Sequence, residues 1–218
     1  MKNVLITGAS GMVGNIILKH CLKSLEIAKV TSFVRRFSDN KHPKLNEVLV
    51  KDFKDYSPYQ HEFQNIDVVY FCIGVYTGAV SDLKFREITV DYTNSFVDVL
   101  KIHSPKANFC FLSGGGADRT EKSRMSFAKY KGIAENYFFS TLDNAFTFRP
   151  AYIYPVEKRE EPNFSYKLSR LLYPLIKMFG ENVSITSEEL AYGMFKIGIE
   201  ASGQKIYENR DILSSIKL

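Results

Sequence analysis

An α/β fold built on a doubly wound parallel sheet is predicted by three features of this 218-residue chain. Short apolar runs alternate with segments of helical period, which calls for β-α-β crossovers and parallel strands. The runs are apolar almost throughout, as in Val68-Val69-Tyr70-Phe71-Cys72-Ile73, the pattern of strands covered on both faces. The first run ends in three evenly spaced glycines, Gly8-x-x-Gly11-x-x-Gly14, at the first strand–helix turn.

Taken in order, strands are expected at 2–7, 29–34, 46–50, 67–73, 108–112 and 145–149. Helices are expected at 12–25, briefly near 56–64, then at 82–103 and 123–141. Past Arg149-Pro150 the rhythm changes. Residues 151–163 hold Pro155, Pro162 and the charged run Glu157-Lys158-Arg159-Glu160-Glu161, and read as a surface loop. A helix with an apolar face is expected over 164–179, ending at Gly180. Thr186-x-x-Glu189 reads as a capping box opening a last long helix at 187–201. A terminal strand near 204–208 and a short tail complete the chain.

Each glycine of the first turn has a physical task. Gly8 permits the tight exit from the strand, Gly11 lets backbone approach a pyrophosphate, and Gly14 lets the helix pack close to the sheet. Gly8, Ser10, Gly11, Met12, Val13 and Gly14 thus form a phosphate cradle, completed by the free N–H groups of the helix N-terminus. The arrangement is that of a Rossmann-type dinucleotide site; a tight turn without a ligand is the alternative. Where an acid would take the 2′-hydroxyl of NAD, strand 29–34 ends in Arg35-Arg36, with Asp39 three residues beyond Arg36. Arginine forks suit a phosphate, which favours NADP(H) over NAD(H), against the alternative of two solvated arginines at a strand end.

Composition narrows the class. A net charge of +5, from 29 basic and 24 acidic residues scattered among one another, suits anionic ligands but is no nucleic-acid footprint. The 17 Phe and 13 Tyr point to an aromatic interior. Cys21, Cys72 and Cys110 form no C-x-x-C pair and read as buried thiols in a reducing compartment. His20, His42, His61 and His103 lack ligand spacing, so no metal is expected. No run has the length of a membrane span, and the protein is expected to be cytoplasmic. The residues do not fix an oligomeric state, for which a homodimer would be unsurprising.

Further short stretches carry a resemblance. They are Val34-Arg35-Arg36, Asp52-Phe53, Cys72-Ile73-Gly74, Val90-Asp91-Tyr92, Leu112-Ser113 with Gly116-Ala117-Asp118, Lys131-Gly132-x-x-Glu135 and Phe148-Arg149-Pro150. In this order and spacing, together with the glycine loop, the chain resembles the atypical short-chain dehydrogenase/reductase superfamily. Within it, the chain is similar to the Tat-interacting oxidoreductase-like group. The resemblance implies a cofactor-binding core over 1–150 and a small C-terminal substrate lobe over 151–218, packed on the same domain. It places Asp52 and Phe53 by the adenine, Gly74 behind the nicotinamide ribose, and Ser113 and Lys131 at the catalytic serine and lysine.

Four residues before Lys131, where that superfamily has its proton-exchanging tyrosine, stands Phe127. Tyr130 adjoins the lysine, but on a helix it points about 100° away from it. The string Tyr-x-x-x-Lys also occurs at Tyr154–Lys158, Tyr173–Lys177 and Tyr192–Lys196, all off this helix and all read as structural. Two functions remain. One is an NADPH-dependent reductase of a small carbonyl substrate, with Ser113 and Lys131 as its machinery. The other is a dinucleotide-binding sensor or regulator without turnover, which Phe127 favours. Helix 164–179 reads as the lid of the substrate lobe, packed on the sheet, or as an interfacial membrane helix. The run Arg119-Thr120-Glu121-Lys122-Ser123-Arg124 reads as a solvated loop or as a contact for an acidic ligand.

Overall fold

Strand β1 (Lys2–Thr7) runs directly into the glycine loop and helix α1 (Met12–Lys23). The computed structural model describes residues 1–157, 171, 173, 180–201 and 203–217. Strands β2 (Ile27–Val34), β3 (Leu45–Leu49), β4 (Val68–Phe71), β5 (Asn108–Leu112) and β6 (Ala145–Arg149) follow close to the expected positions. A 3-10 segment at Ser57–Phe63 fills the short helix. The helix expected at 82–103 is one run with a widened middle: α2 (Asp82–Arg86), a π-helical turn (Glu87–Asp91) and α3 (Tyr92–His103). Helix α4 (Ser126–Thr141) precedes β6.

These strands form one parallel sheet, in the order β3-β2-β1-β4-β5-β6 with a seventh strand, β9 (Ile206–Glu208), beside β6. Val4 of β1 sits between Val30 of β2 and Val68 of β4. The chain therefore travels outward from β1 to β3 and then returns to start β4 on the other side. The crevice at the carboxyl ends of β1 and β4 is the switch point where ligands bind such sheets.

Alternation along each strand divides the core. Val4, Ile6, Val68 and Tyr70 face one layer, formed by α1 and by helix α5 (Ser187–Glu200), which buries Leu190, Met194 and Ile197 there. Leu5, Phe71, Phe109 and Phe111 face the other, where Phe33, Tyr56, Phe63, Phe96 and Phe138 make a continuous aromatic cluster. Phe96 meets five rings, Phe33, Tyr56, Phe63, Phe71 and Phe109, with centroids at 6.4, 5.2, 4.9, 5.2 and 6.1 Å. The aromatic interior expected from composition is this layer.

The chain after Pro150 departs from the sequence reading in two places. The expected loop at 151–163 opens with β7 (Tyr152–Tyr154), paired in parallel with β8 (Ser184–Thr186). Its three residues are too short for periodicity to reveal, yet Ile153 packs on the core. The expected tail is helix α6 (Asn209–Ile216), which buries Ile212 and Leu213. Its capping box is opened by Glu208 rather than by a hydroxyl or Asx residue, so the usual start signal is missing. The capping box of Thr186 and Glu189 at the start of α5 is present as read. Apart from Leu171 and Tyr173, the helix expected at 164–179 lies outside the described residues, as do Lys158 and Lys177.

Candidate functional site

The glycine loop is tight for reasons internal to the backbone at two of its three glycines. Gly8 has φ +73°, and a Cβ there would lie 2.5 Å from the Cys72 carbonyl oxygen. A Cβ on Gly14 would lie 2.3 Å from the Gly8 carbonyl oxygen, so α1 can approach the loop only without a side chain. Gly11 differs. Its φ is −81°, and its Cβ would meet only the Gly8 oxygen, at 3.2 Å. A side chain at 11 would press on its neighbour far less than one at 8 or 14, so the fold alone demands glycine there least, and a bare backbone suits an incoming ligand. Helix α1 has no side-chain cap and no acid in its first turn, leaving an N-terminus suited to an anion.

A cleft of about 390 Å³ opens from this loop. Gly11, Met12, Val13 and Gly14 line one end, Gly74 lies along it, and Ser113, Phe127 and Lys131 line the other end. Gly8, Ser10, Arg35, Arg36, Asp52 and Phe53 are not part of its wall. Arg35 and Arg36 are exposed just beyond β2, and neither has a hydrogen bond or ion pair with a described residue. Asp52 is exposed and accepts a hydrogen bond from the Lys54 amide at 2.9 Å. Phe53 is buried, stacked on Tyr92 and edge-on to Tyr56.

Phe127 and Lys131 lie one turn apart on α4 and both face the cleft. The Phe127 ring lies against Gly114, where a Cβ would come within 2.3 Å of Cζ. Gly132 lets α4 press on the preceding loop, because a Cβ there would overlap the Asp118 carbonyl at 1.8 Å. Lys131 Nζ donates to the Leu112 carbonyl at 2.9 Å and lies 4.5 Å above the centre of the Phe111 ring. Burial pushes its ammonium down to about 8, against the opposing pull of Glu135. Tyr130 is turned aside, as helix geometry requires, and its hydroxyl donates to Asp82 Oδ2 at 2.6 Å.

Ser113 donates its hydroxyl hydrogen to Glu135 Oε1 at 2.7 Å. The same oxygen accepts from Thr147 Oγ1 and from Arg149 Nε, each at 3.0 Å, and a second Arg149 nitrogen bonds Glu135 Oε2. Arg149 also reaches Glu208 Oε1 at 3.0 Å. Fully buried Glu135 thus ties together β5, α4, β6 and the start of α6 beneath the cleft. Cys72 reaches the cleft wall, but burial pushes its thiol up to about 12, so it is protonated and a poor nucleophile. Among the described residues, no group of three His, Cys, Asp or Glu side chains is placed to hold a metal. None of their helices is long and apolar enough to cross a membrane.

The model of the NAD dependent epimerase/dehydratase family matches residues 4–124, over half of the chain. The chain belongs to that family. Rat protein HTATIP2 is 31% identical over 137 residues, which are 62% of this chain and 55% of that protein. The chain thus matches just over half the length of this relative, in line with the resemblance to the Tat-interacting group. Among solved structures, Gre2 from Candida albicans in complex with NADPH superposes with a TM-score of 0.70 at 14% identity, covering 96% of this chain and 78% of that one. WbmF from Bordetella bronchiseptica in complex with NAD+ gives 0.67 at 16% identity, covering 98% and 76%. The fold is that of the NAD(P)-dependent oxidoreductases and epimerases.

Two parts of the site escaped the sequence reading. Glu135 was visible only as a motif letter, although its i+4 spacing from Lys131 puts it on the same helix face. The aromatic wall of Tyr76, Phe85 and Tyr152 comes from three separate segments, which no local pattern connects. Of the stray Tyr-x-x-x-Lys strings, Tyr192 and Lys196 lie on α5 outside the cleft wall, with Lys196 tied to the Ser215 carbonyl at 2.9 Å.

Proposed function

We propose that this protein is an oxidoreductase that binds NADPH in preference to NADH and reduces a small carbonyl compound. The observation that carries this reading is the single cleft joining the bare N-terminus of α1 to Ser113 and Lys131. In this reading the loop from Gly8 to Gly14, Ser10 included, holds the pyrophosphate, and Gly74 backs the nicotinamide ribose. Lys131 binds that ribose, and Ser113 positions the substrate oxygen. Arg35 and Arg36 receive the 2′-phosphate, which their exposure and lack of partners among the described residues favour. Asp52 and Phe53 approach the adenine. Residues 1–150 hold the cofactor and residues 151–218 contribute the substrate side, beginning with Ala151, Tyr152 and Ile153 at the cleft. That Gre2 was solved with NADPH and WbmF with NAD+ supports a nicotinamide dinucleotide. Three free thiols suit a reducing cytoplasm.

Phe127 favours a second reading, a dinucleotide-binding regulator without turnover, because a phenyl ring has no proton to exchange. Both readings require the dinucleotide, so binding is tested first. Calorimetric titration of NADPH and NADH into wild-type protein and Gly11→Val is the experiment. Wild-type protein is expected to bind NADPH more tightly, and Gly11→Val to lose binding while its circular dichroism stays native. Undiminished affinity in Gly11→Val would remove the proposal. Reduction of a carbonyl compound by wild-type protein then decides between the two readings.

A further inference from the structure

Hydride addition to an ordinary ketone makes an alkoxide, so such reductases place an acid at the reacting oxygen. Among the described residues, the positions beside Lys131 are poor in free acids. Residue 127 is a phenyl ring, the Ser113 hydrogen lies on Glu135, and the Tyr130 hydroxyl is turned to Asp82. What remains beside them is a cation, Lys131, held over Phe111. The surrounding wall is largely aromatic and apolar, with Phe127, Phe85, Ile73, Pro150 and the rings of Tyr76 and Tyr152, whose hydroxyls are its remaining phenols.

Resting on the reductase reading, we propose that the hydride acceptor is a planar quinone, whose reduced oxygen is a phenolate rather than an alkoxide. A phenol such as tyrosine ionises near pH ~10, whereas water, the measure for an alkoxide, ionises near ~15.7. The phenolate therefore needs a nearby cation but no acid poised at the moment of transfer. The quinone accepts a hydride from the dihydronicotinamide, which is oxidised; the quinone ring becomes aromatic, giving a hydroquinone monoanion. One proton from the Lys131 ammonium, replaced from solvent, or from solvent directly, completes the hydroquinone. The aromatic wall supplies faces for stacking a planar ring.

The first test reads binding alone. 4-Nitrophenol is titrated with pH in the presence of protein and NADP+, following the visible absorbance of its phenolate. Bound probe is expected to ionise about one to three pH units lower than free probe, because an opposite charge favours the anion. Lys131→Met should abolish the shift. The second test measures NADPH oxidation without oxygen, using 1,4-naphthoquinone and the like-sized ketone 1-tetralone. Quinone reduction is expected, with tetralone at least about tenfold slower, and Phe127→Tyr should raise the tetralone-to-quinone ratio at least about tenfold. Tight NADPH binding without quinone turnover or without the phenolate shift overturns the quinone proposal alone. So does tetralone reduction as fast as quinone reduction, and its loss in Tyr76→Phe or Tyr152→Phe would name the donor. Failure of wild-type protein to bind NADPH removes both proposals.

Discussion

The two ends of the cleft are built from different materials. At the α1 end the requirements fall on the backbone: Gly8 and Gly14 are demanded by carbonyls 2.5 and 2.3 Å from where a Cβ would stand. At the α4 end they fall on side chains, with Ser113 held by a buried carboxylate that also takes bonds from Thr147 and Arg149 of β6. A backbone cradle fails as soon as a side chain enters it. A side-chain site can exchange one member, as at Phe127, while its frame stays whole. Substitutions at the two ends should therefore fail differently, one through ligand binding and the other through stability or chemistry.

The largest stability effect is expected at the frame. Glu135→Ala leaves Arg149 partly buried without its main partner, and strips Ser113 and Thr147 of their acceptor. Breaking a buried pair from one side costs about 3–5 kcal/mol. Urea unfolding should show a loss of that size, with Glu135→Gln losing less because it keeps acceptors for the two hydroxyls. A loss under about 1 kcal/mol, the scale of an exposed pair, would mean that the carboxylate does not frame the site.

Lys131 should show the opposite sign, a functional group that costs stability. Its ammonium falls from 10.5 to about 8 on folding, mainly through burial. Between those values the unfolded chain binds more protons, so wild-type stability should rise with pH across that window. The penalty is fully present below about pH 8 and is relieved as pH approaches 10.5, a change of about 3 kcal/mol. Lys131→Met has no such group. Its stability advantage over wild type should shrink by about that amount from pH 7 to pH 10.5 in matched urea titrations. Parallel pH profiles for the two proteins would show that the ammonium is well solvated.

This contrast also sets what the sequence could tell. All seven strands of the sheet, β9 included, and the glycine turn were legible because each is a local pattern of period, length or spacing. Ser113, Phe127 and Lys131 could be named from their motifs, yet their shared wall with Tyr76, Phe85 and Tyr152 is a tertiary fact. Strands β7 and β8, three residues each, gain their meaning only from pairing with one another. Helix α6 lacks the usual start signal and is held by the burial of Ile212 and Leu213. The three cysteines looked unrelated in sequence, but Cys21 and Cys110 lie in the same buried layer with Cys72 packed against it.

The smallest effect bears on cofactor choice and sits outside the cleft wall, at Arg35. Its guanidinium is exposed and unpartnered among the described residues, so removing it should cost the fold nothing. A hydrogen bond to a charged group contributes about 1.5–3 kcal/mol, equivalent to roughly 10- to 150-fold in affinity. Arg35→Ala should weaken NADPH binding by about that factor and leave NADH binding almost unaltered, because only NADPH carries the 2′-phosphate. Arg36→Ala should do less if Arg35 makes the main contact. Calorimetry at low and moderate salt separates this from a general charge effect: a direct fork on the phosphate persists, whereas a diffuse attraction fades with screening. Equal loss for both cofactors, or none for either, would detach the arginines from the 2′-phosphate. The cradle at the α1 end would then stand as a dinucleotide site without preference.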